Sequence, residues 1–331
     1  PGLLTENQIR IFQNAVLAFY DQYGRRFPWR STCNPYHILV SEIMLQQTQA
    51  SRVIPKYTAF IRSIPGFQAL AKTGLQEILL LWQGLGYNRR AKALKEIGDI
   101  VVRDFGGELP RDPAVLETFP MIGWATARSI AAFAFNTPVV FLETNIRHVL
   151  ITTFFSFPYR SYDSFAETYC GAVAETKPPA DYTPLSIDYT VRSSSIIKDN
   201  KNHLGHETPI FKNALISGKS PGDKVLLEYA ATCLYRENPR RWYNALMDYG
   251  TWLKRAVPME APIRSGNKKQ SAFKNSNRQI RGYILKYLLW AGETGKKQLS
   301  DALPFEPDRV SLAVEQLISE GFLRENDGLI D

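Results

Sequence analysis

Apolar residues recur at helical spacing through the first half of the chain. Ile9, Phe12, Ala15, Val16 and Phe19 form one stripe. Ile38, Leu39, Ile43, Met44 and Leu45 form a second, and Leu75, Ile78, Leu79 and Trp82 a third. A period near 3.6 residues puts each set on one face of a helix. The segment "LQEILLLWQGLGYNRRAKALKEIGDIVVRDFGG" reads as a helix, a glycine-bearing turn, a second helix and a stop at Gly106-Gly107. Strand-type alternation is scarce, so the pattern predicts an all-α region over residues 1–155. From 156 to about 225 the chain is polar and proline-rich with little periodicity, as in a long functional loop or an insertion. Helical pattern returns in "KVLLEYAATCLYRENPRRWYNALMDYGTWLKRAVP". The tail has helix signals over Arg278–Trp290, Lys297–Ala302 and Asp308–Ser319, and "GFLRENDGLID" then alternates like a hairpin turning at Asp327-Gly328. Three helices and a hairpin predict a small winged-helix-like module.

Charge adds a direction to this picture. Lys and Arg outnumber Asp and Glu by 40 to 32, a net charge of +8 that leans toward a polyanionic partner. Residues 264–282 concentrate the bias: Arg264, Lys268, Lys269, Lys274, Arg278 and Arg281 occur there without an acid. Such a strip is a solvated linker or a track for a phosphate backbone. Three widely spaced cysteines, Cys33, Cys170 and Cys233, argue against a disulfide framework or a zinc knuckle. "HLGH" lacks further ligands, so no metal site is expected. No apolar run of about 18 residues occurs, and the expectation is a soluble, cytoplasmic monomer with no membrane contact.

Two carboxylates sit where a solvated acid is out of place. Glu42 lies between Ile38/Leu39 and Ile43/Met44/Leu45, and Glu143 interrupts the apolar run of "VVFLETNIRHVL". A pair of semi-buried carboxylates suits an acid/base and a cation stabiliser. In "FPMIGWATARSIAAFAF", Pro120 and Gly123 form a tight turn before a helix, an arrangement that offers backbone N–H groups to an anion.

Taken in order, "FPWR", "NPYHILVSEIMLQQTQASRVIPKY", "LWQGLGYNRRAKAL", "ELPRDPAVLETFPMIGWATARSIAAFAF", "VVFLETNIRHVL" and "WYNALMDYG" make the chain resemble the MutY-type adenine DNA glycosylases of the helix-hairpin-helix superfamily. The resemblance implies an all-α fold of two helical modules with a DNA-binding cleft between them. Residues 31–138 would be the barrel module with the hairpin. Residues 1–30 and 139–258 would form the split module, 259–277 a basic linker, and 278–331 the winged-helix-like module. It also implies a double-stranded DNA partner and a target base flipped out of the stack. Glu42 matches the general acid/base, Glu143 the carboxylate facing the oxocarbenium-like sugar, and Asn145 a residue that helps hold the site. Gln46, Gln47 and Tyr87 match positions that probe the helix the base has left. Arg89, Arg90, Ile122, Gly123, Trp124, Ala125 and Arg147 are expected at the DNA, and Trp29, Arg30 and Ala125 around the base. Ala125 also matches the position of the lysine nucleophile in lyase members. Alanine forms no Schiff base, so base removal without strand cleavage is expected.

The chain departs from that family in four ways. No cysteine follows Cys233, and Lys254 stands where the first iron–sulfur ligand would be, so no cluster and no other cofactor is expected. Met121 replaces the first glycine of the hairpin, with Trp124-Ala125 after it. Glu143 replaces Asp. The tail is too short and too helical for the family's Nudix-like reader of oxidised guanine. These departures point to a non-standard or modified base, hypermodified cytosine of phage DNA in antiviral defence being one such substrate. Adenine opposite 8-oxoguanine in base excision repair is the alternative, and a non-catalytic binder of distorted DNA is the alternative of another class.

Overall fold

A computed structural model describes residues 4–155, 221–256 and 273–330. The expected insertion up to residue 220, "HLGH", and the linker cations Arg264, Lys268 and Lys269 lie outside the described residues. The chain divides into two compact units. One is drawn from Pro1–Cys33 and Trp124–Gly266, the other from Asn34–Gly123 and Asn267–Asp331.

The first unit holds α1 (Glu6–Tyr23), a short 3-10 turn (Pro28–Arg30), α8 (Trp124–Phe135), α9 (Thr144–Phe155), α10 (Asp223–Thr232) and α11 (Pro239–Ala256). α1 begins with a capping box: Thr5 accepts from the Gln8 N–H, and the Gln8 side chain accepts from the Thr5 N–H. The apolar stripe then buries Phe12, Val16 and Phe19. Phe12 meets Phe154 and Trp242 edge-on, at 5.1 and 5.6 Å between ring centroids. Each such ring contributes roughly 1.5–3 kcal/mol by leaving water. α11 packs on both α1 and α9 and is the spine of this unit.

The second unit holds α2 (Pro35–Leu45), α3 (Ala50–Ser63), α4 (Phe67–Lys72), α5 (Leu75–Trp82), α6 (Arg89–Asp104) and α7 (Pro113–Leu116). Its C-terminal part adds α12 (Asn277–Ala291), α13 (Lys296–Ala302) and α14 (Pro307–Ser319). Three short strands complete it: β1 (Thr294–Gly295), β2 (Glu325–Asn326) and β3 (Leu329–Ile330), paired antiparallel in the order β1-β3-β2. Thr294 pairs with Ile330, and Glu325 pairs with the same residue from the other side. Asp327 and Gly328 both take positive φ, 51° and 78°, the conformation of a two-residue type I′ hairpin turn. The helix–strand–helix–helix–hairpin order is that of a winged helix, as the sequence pattern predicts.

The break between units falls at Gly123/Trp124, not at 138/139. The physical reason is that α8 packs against α11. Arg240, at the start of α11, donates from its guanidinium to the carbonyls of Phe133 and Ala134, and its N–H donates to Asn136 Oδ1 at 3.0 Å. The C-terminal module likewise groups with residues 34–123. Its Glu320 accepts from Arg281 of its own α12 and from Arg89 of α6, at 2.7 and 2.9 Å. Lys92 donates to the Glu320 carbonyl.

Candidate functional site

Glu143 is the residue before the first turn of α9. Its backbone carbonyl accepts from the Arg147 N–H, and its carboxylate accepts from the Asn145 N–H at 2.9 Å. The side chain therefore caps the helix. The location suits a carboxylate, because a helix N-terminus presents unsatisfied N–H groups and the positive end of the dipole. Phe141 and Leu142 are buried before it and Ile146 after it, while Glu143 itself is half-buried. The apolar run thus anchors the chain on both sides of an acid that stays accessible.

Asn145, one turn position on, accepts at Oδ1 from Lys254 Nζ at 2.7 Å. α9 reaches this position because α11 carries Gly250 opposite it. A Cβ at 250 would lie 2.5 Å from the Asn145 carbonyl oxygen. Lys254 follows Gly250 by one helical turn on the same face of α11. His148, further along α9, is buried. Burial, with the Lys254 charge adding to it, pushes its imidazole below the usual value. Arg147 forms an ion pair with Asp223 of α10.

Glu42 lies on α2 between buried Ser41 and Ile43 and is half-buried. α2 starts at an Asn34 cap, whose Oδ1 accepts from the Tyr36 and His37 N–H groups, with Pro35 at its first position. Beyond its last turn, Gln46 donates to the Met121 carbonyl at 3.2 Å. Gln47, Tyr87 and Met121 all hold left-handed backbone, with φ of 55°, 52° and 60°. That conformation costs a non-glycine residue roughly 1–2 kcal/mol, and such strain clusters at functional sites. Ile122 is buried, Met121 and Gly123 are exposed, and the chain then enters α8. There Trp124 is exposed, with the Arg128 guanidinium 4.2 Å over its ring, and Ala125 is half-buried.

Two expected contacts take other places. Arg90 is no phosphate contact: its side chain is buried, with relative exposure of 2%. It donates to the carbonyls of Ile43, Met44, Gln46, Leu85 and Gly86 and to Thr48 Oγ1. Burial pushes it down to about 10. It ties the end of α2 to the glycine turn before α6, since only a guanidinium fork has enough donors for that many acceptors. Arg30 sits on framework too. Asp248 is fully buried and accepts from Arg30 Nη1 and Nη2 at 2.7 and 3.0 Å and from the Arg25 N–H and Nε at 2.7 and 2.8 Å. Trp29 is buried and stacks on Phe27 at 5.0 Å. "FPWR" and "DYG" are therefore joined through an ion pair inside one unit. Tyr87 is half-buried, and its hydroxyl accepts from Arg278 of α12 at 2.6 Å. Arg89 is exposed and paired with Glu320.

Sequence reasoning did not foresee the roles of Gly250 or Glu320; it saw Arg278 only as one cation of a basic strip and Lys254 only as a missing ligand. A glycine inside a helical pattern was the available signal for the close approach at 250. Among the described residues, no group of three or more His, Cys, Asp or Glu is gathered to hold a metal, and no helix is long and apolar enough to cross a membrane.

Comparison with known proteins bears on this arrangement. Residues 40–168 match the family model of the HhH-GPD superfamily of base excision DNA repair proteins. The adenine DNA glycosylase of Buchnera aphidicola subsp. Baizongia pistaciae is 41% identical over 142 residues, 43% of this chain and 40% of that one. The adenine DNA glycosylase of Mycolicibacterium smegmatis is 43% identical over 136 residues, 41% of this chain and 46% of that one. The chain thus spans less than half the length of these two relatives. Among solved structures, a thermostable thymine-DNA glycosylase superposes with a TM-score of 0.54 at 23% identity, covering 77% of this chain and 90% of that one. The fold is all-α and of the helix-hairpin-helix glycosylase type, and over residues 40–168 the chain is similar to the HhH-GPD superfamily and to adenine DNA glycosylases.

Proposed function

We propose that the protein is a monofunctional DNA glycosylase that extrudes a non-standard or modified base from duplex DNA and hydrolyses its N-glycosidic bond. The observation that carries this reading is Glu143, an accessible carboxylate capped onto α9 and steadied by the Asn145 N–H. A carboxylate fixed by packing is what an oxocarbenium-like sugar needs as charge develops on it. Glu42 serves as the acid/base, protonating the leaving base or taking a proton from water as the water oxygen bonds to C1′. Ala125 offers no amine, so the product is an abasic site with both strands intact. Exposed Trp124, the strained turns at Gln47, Tyr87 and Met121, and the cations Arg89 and Arg147 supply DNA contacts. The small side chain at 125 and Glu143 in place of Asp favour a base other than the family's usual one, with hypermodified cytosine of phage DNA as the case for a defence role.

A second reading is adenine opposite 8-oxoguanine; its adenine part is favoured by two relatives named as adenine DNA glycosylases. Duplexes with A:8-oxoG, T:G and modified-cytosine pairs, treated with the protein and then with hot alkali, separate the two. Scission at the modified cytosine supports the first reading, and scission only at A:8-oxoG replaces it with the second. Scission before alkali would refute the monofunctional assignment. Binding without scission on any duplex would make the chain a reader of distorted DNA.

A further inference from the structure

We infer that Lys254 is a positioning residue: its ammonium fixes the carboxamide of Asn145 with the oxygen toward α11, so that the Nδ2 donors are presented to an acceptor oxygen of the bound nucleotide. The inference rests on the proposed glycosylase reading and adds a residue to its site.

A carboxamide looks nearly the same in either of its two flipped orientations, and only its partners decide between them. Here the partner is an ammonium, which has donors and no acceptor. Lys254 Nζ stands 2.7 Å from Asn145, so the carboxamide oxygen must face it. The Nδ2 group then points away from α11. The neighbours make the arrangement specific. Gly250 lets the two backbones come close enough for a side chain one turn on to reach Asn145. The Asn145 N–H is already given to the Glu143 carboxylate, so the residue holds the acid with its backbone while its side chain serves another partner. Partial burial pushes the Lys254 ammonium below its usual value, and the Glu143 carboxylate opposes that shift.

A lysine in the last turn of a helix commonly just offsets the dipole of its own helix. That role would stay within α11 and would not fix a side chain of α9. The cation is exposed, so its effect on stability is small, and the orientation of Asn145 is what its loss should change.

The test uses Lys254→Met, which keeps the stem and removes the donor, and Lys254→Arg, which restores one. In the free protein, the side-chain amide signals of Asn145 are assigned by their absence in Asn145→Asp. Lys254→Met should shift and broaden these signals, and Lys254→Arg should recover a single sharp pair. On a cleavable duplex, Lys254→Met should slow single-turnover base release roughly tenfold with DNA affinity within about threefold. Asn145→Ala should slow it at least as much, and the double variant should be no worse than Asn145→Ala alone. Unchanged amide signals in Lys254→Met, or fully additive rate losses, would overturn the inference. If the wild-type protein released no base while the amide signals still responded to Lys254, the glycosylase reading would fail and the orientation of Asn145 by Lys254 would stand.

Discussion

Gly250→Ala adds one methyl group at the closest approach of two helices. The new Cβ would lie 2.5 Å from the Asn145 carbonyl oxygen and 3.0 Å from the Asn145 carbonyl carbon and Cβ. Two of these atoms are backbone, so no rotamer change relieves the clash. Tolerable contact begins near 3.4 Å, so α9 must retreat by about 0.9 Å at its first turn. Two energies compete. Alanine is favoured over glycine inside a helix by roughly 0.5–1 kcal/mol. Overpacking at a rigid contact costs about 1–3 kcal/mol. The clash wins, with a net loss of about 1–2 kcal/mol and a fall in Tm of about 2–8 °C. The larger effect is on chemistry, because the displaced turn carries Glu143 and Asn145. A shift near 1 Å in a positioned group costs on the order of 100-fold in rate. Thermal melting and single-turnover base release on one duplex measure both quantities. The control is Gly282→Ala in α12, where nothing lies within 4 Å of the added Cβ. That variant should gain about 0.5–1 kcal/mol and keep its rate. A Gly250→Ala protein with wild-type melting and wild-type rate would refute the role given to this contact.

Other residues give independent checks. Met121→Gly should raise stability by up to about 1 kcal/mol in denaturant titration, because glycine takes φ of 60° without the left-handed cost and the Met121 side chain is largely exposed; a less stable variant would mean that packing of the methionine outweighs the strain. Glu320→Gln should cost about 1–3 kcal/mol at neutral pH by removing charge from a carboxylate shared by Arg281 and Arg89. Those two guanidiniums hold the Glu320 carboxyl well below its usual 4.5. A depressed folded-state value stabilises the fold above the unfolded value and loses that contribution as pH falls through the folded one. The gap between Glu320→Gln and wild type should therefore be full above about pH 4.5 and shrink progressively in stronger acid. A gap that widens on acidification would contradict the ion-pair account.

The helices were legible in the sequence because each buries one stripe. Phe12, Val16 and Phe19 fall on the buried face of α1 as their spacing requires, and Ile38, Leu39, Ile43 and Met44 are all buried on α2. The tail was legible for a different reason: Asp327-Gly328 supplies the two positive φ angles that a tight hairpin needs. Glu143 was legible as an acid out of place, and its cap onto α9 gives the physical reason for that place. Long-range pairing was not legible. Arg90 has the spacing of a first-turn surface cation, yet it folds inward onto five carbonyls that come from two separate loops and a helix end. Arg30 and Asp248 are 218 residues apart, and no local pattern links them. The division at Gly123 was equally hidden, because α8 carries buried residues on most of its surface and its partner is settled only by Arg240 of α11.

The most direct measurement compares Glu42→Gln and Glu143→Gln with wild type for single-turnover base release and for binding to the same duplex. Each substitution keeps shape and removes the charge or proton that acts on the transition state. Base release should fall by about 10²–10⁴-fold in each variant while DNA affinity stays within a few-fold. Base release that is unchanged in both variants, or lost only in proportion to DNA binding, would contradict the assignment of these two carboxylates to glycosidic hydrolysis.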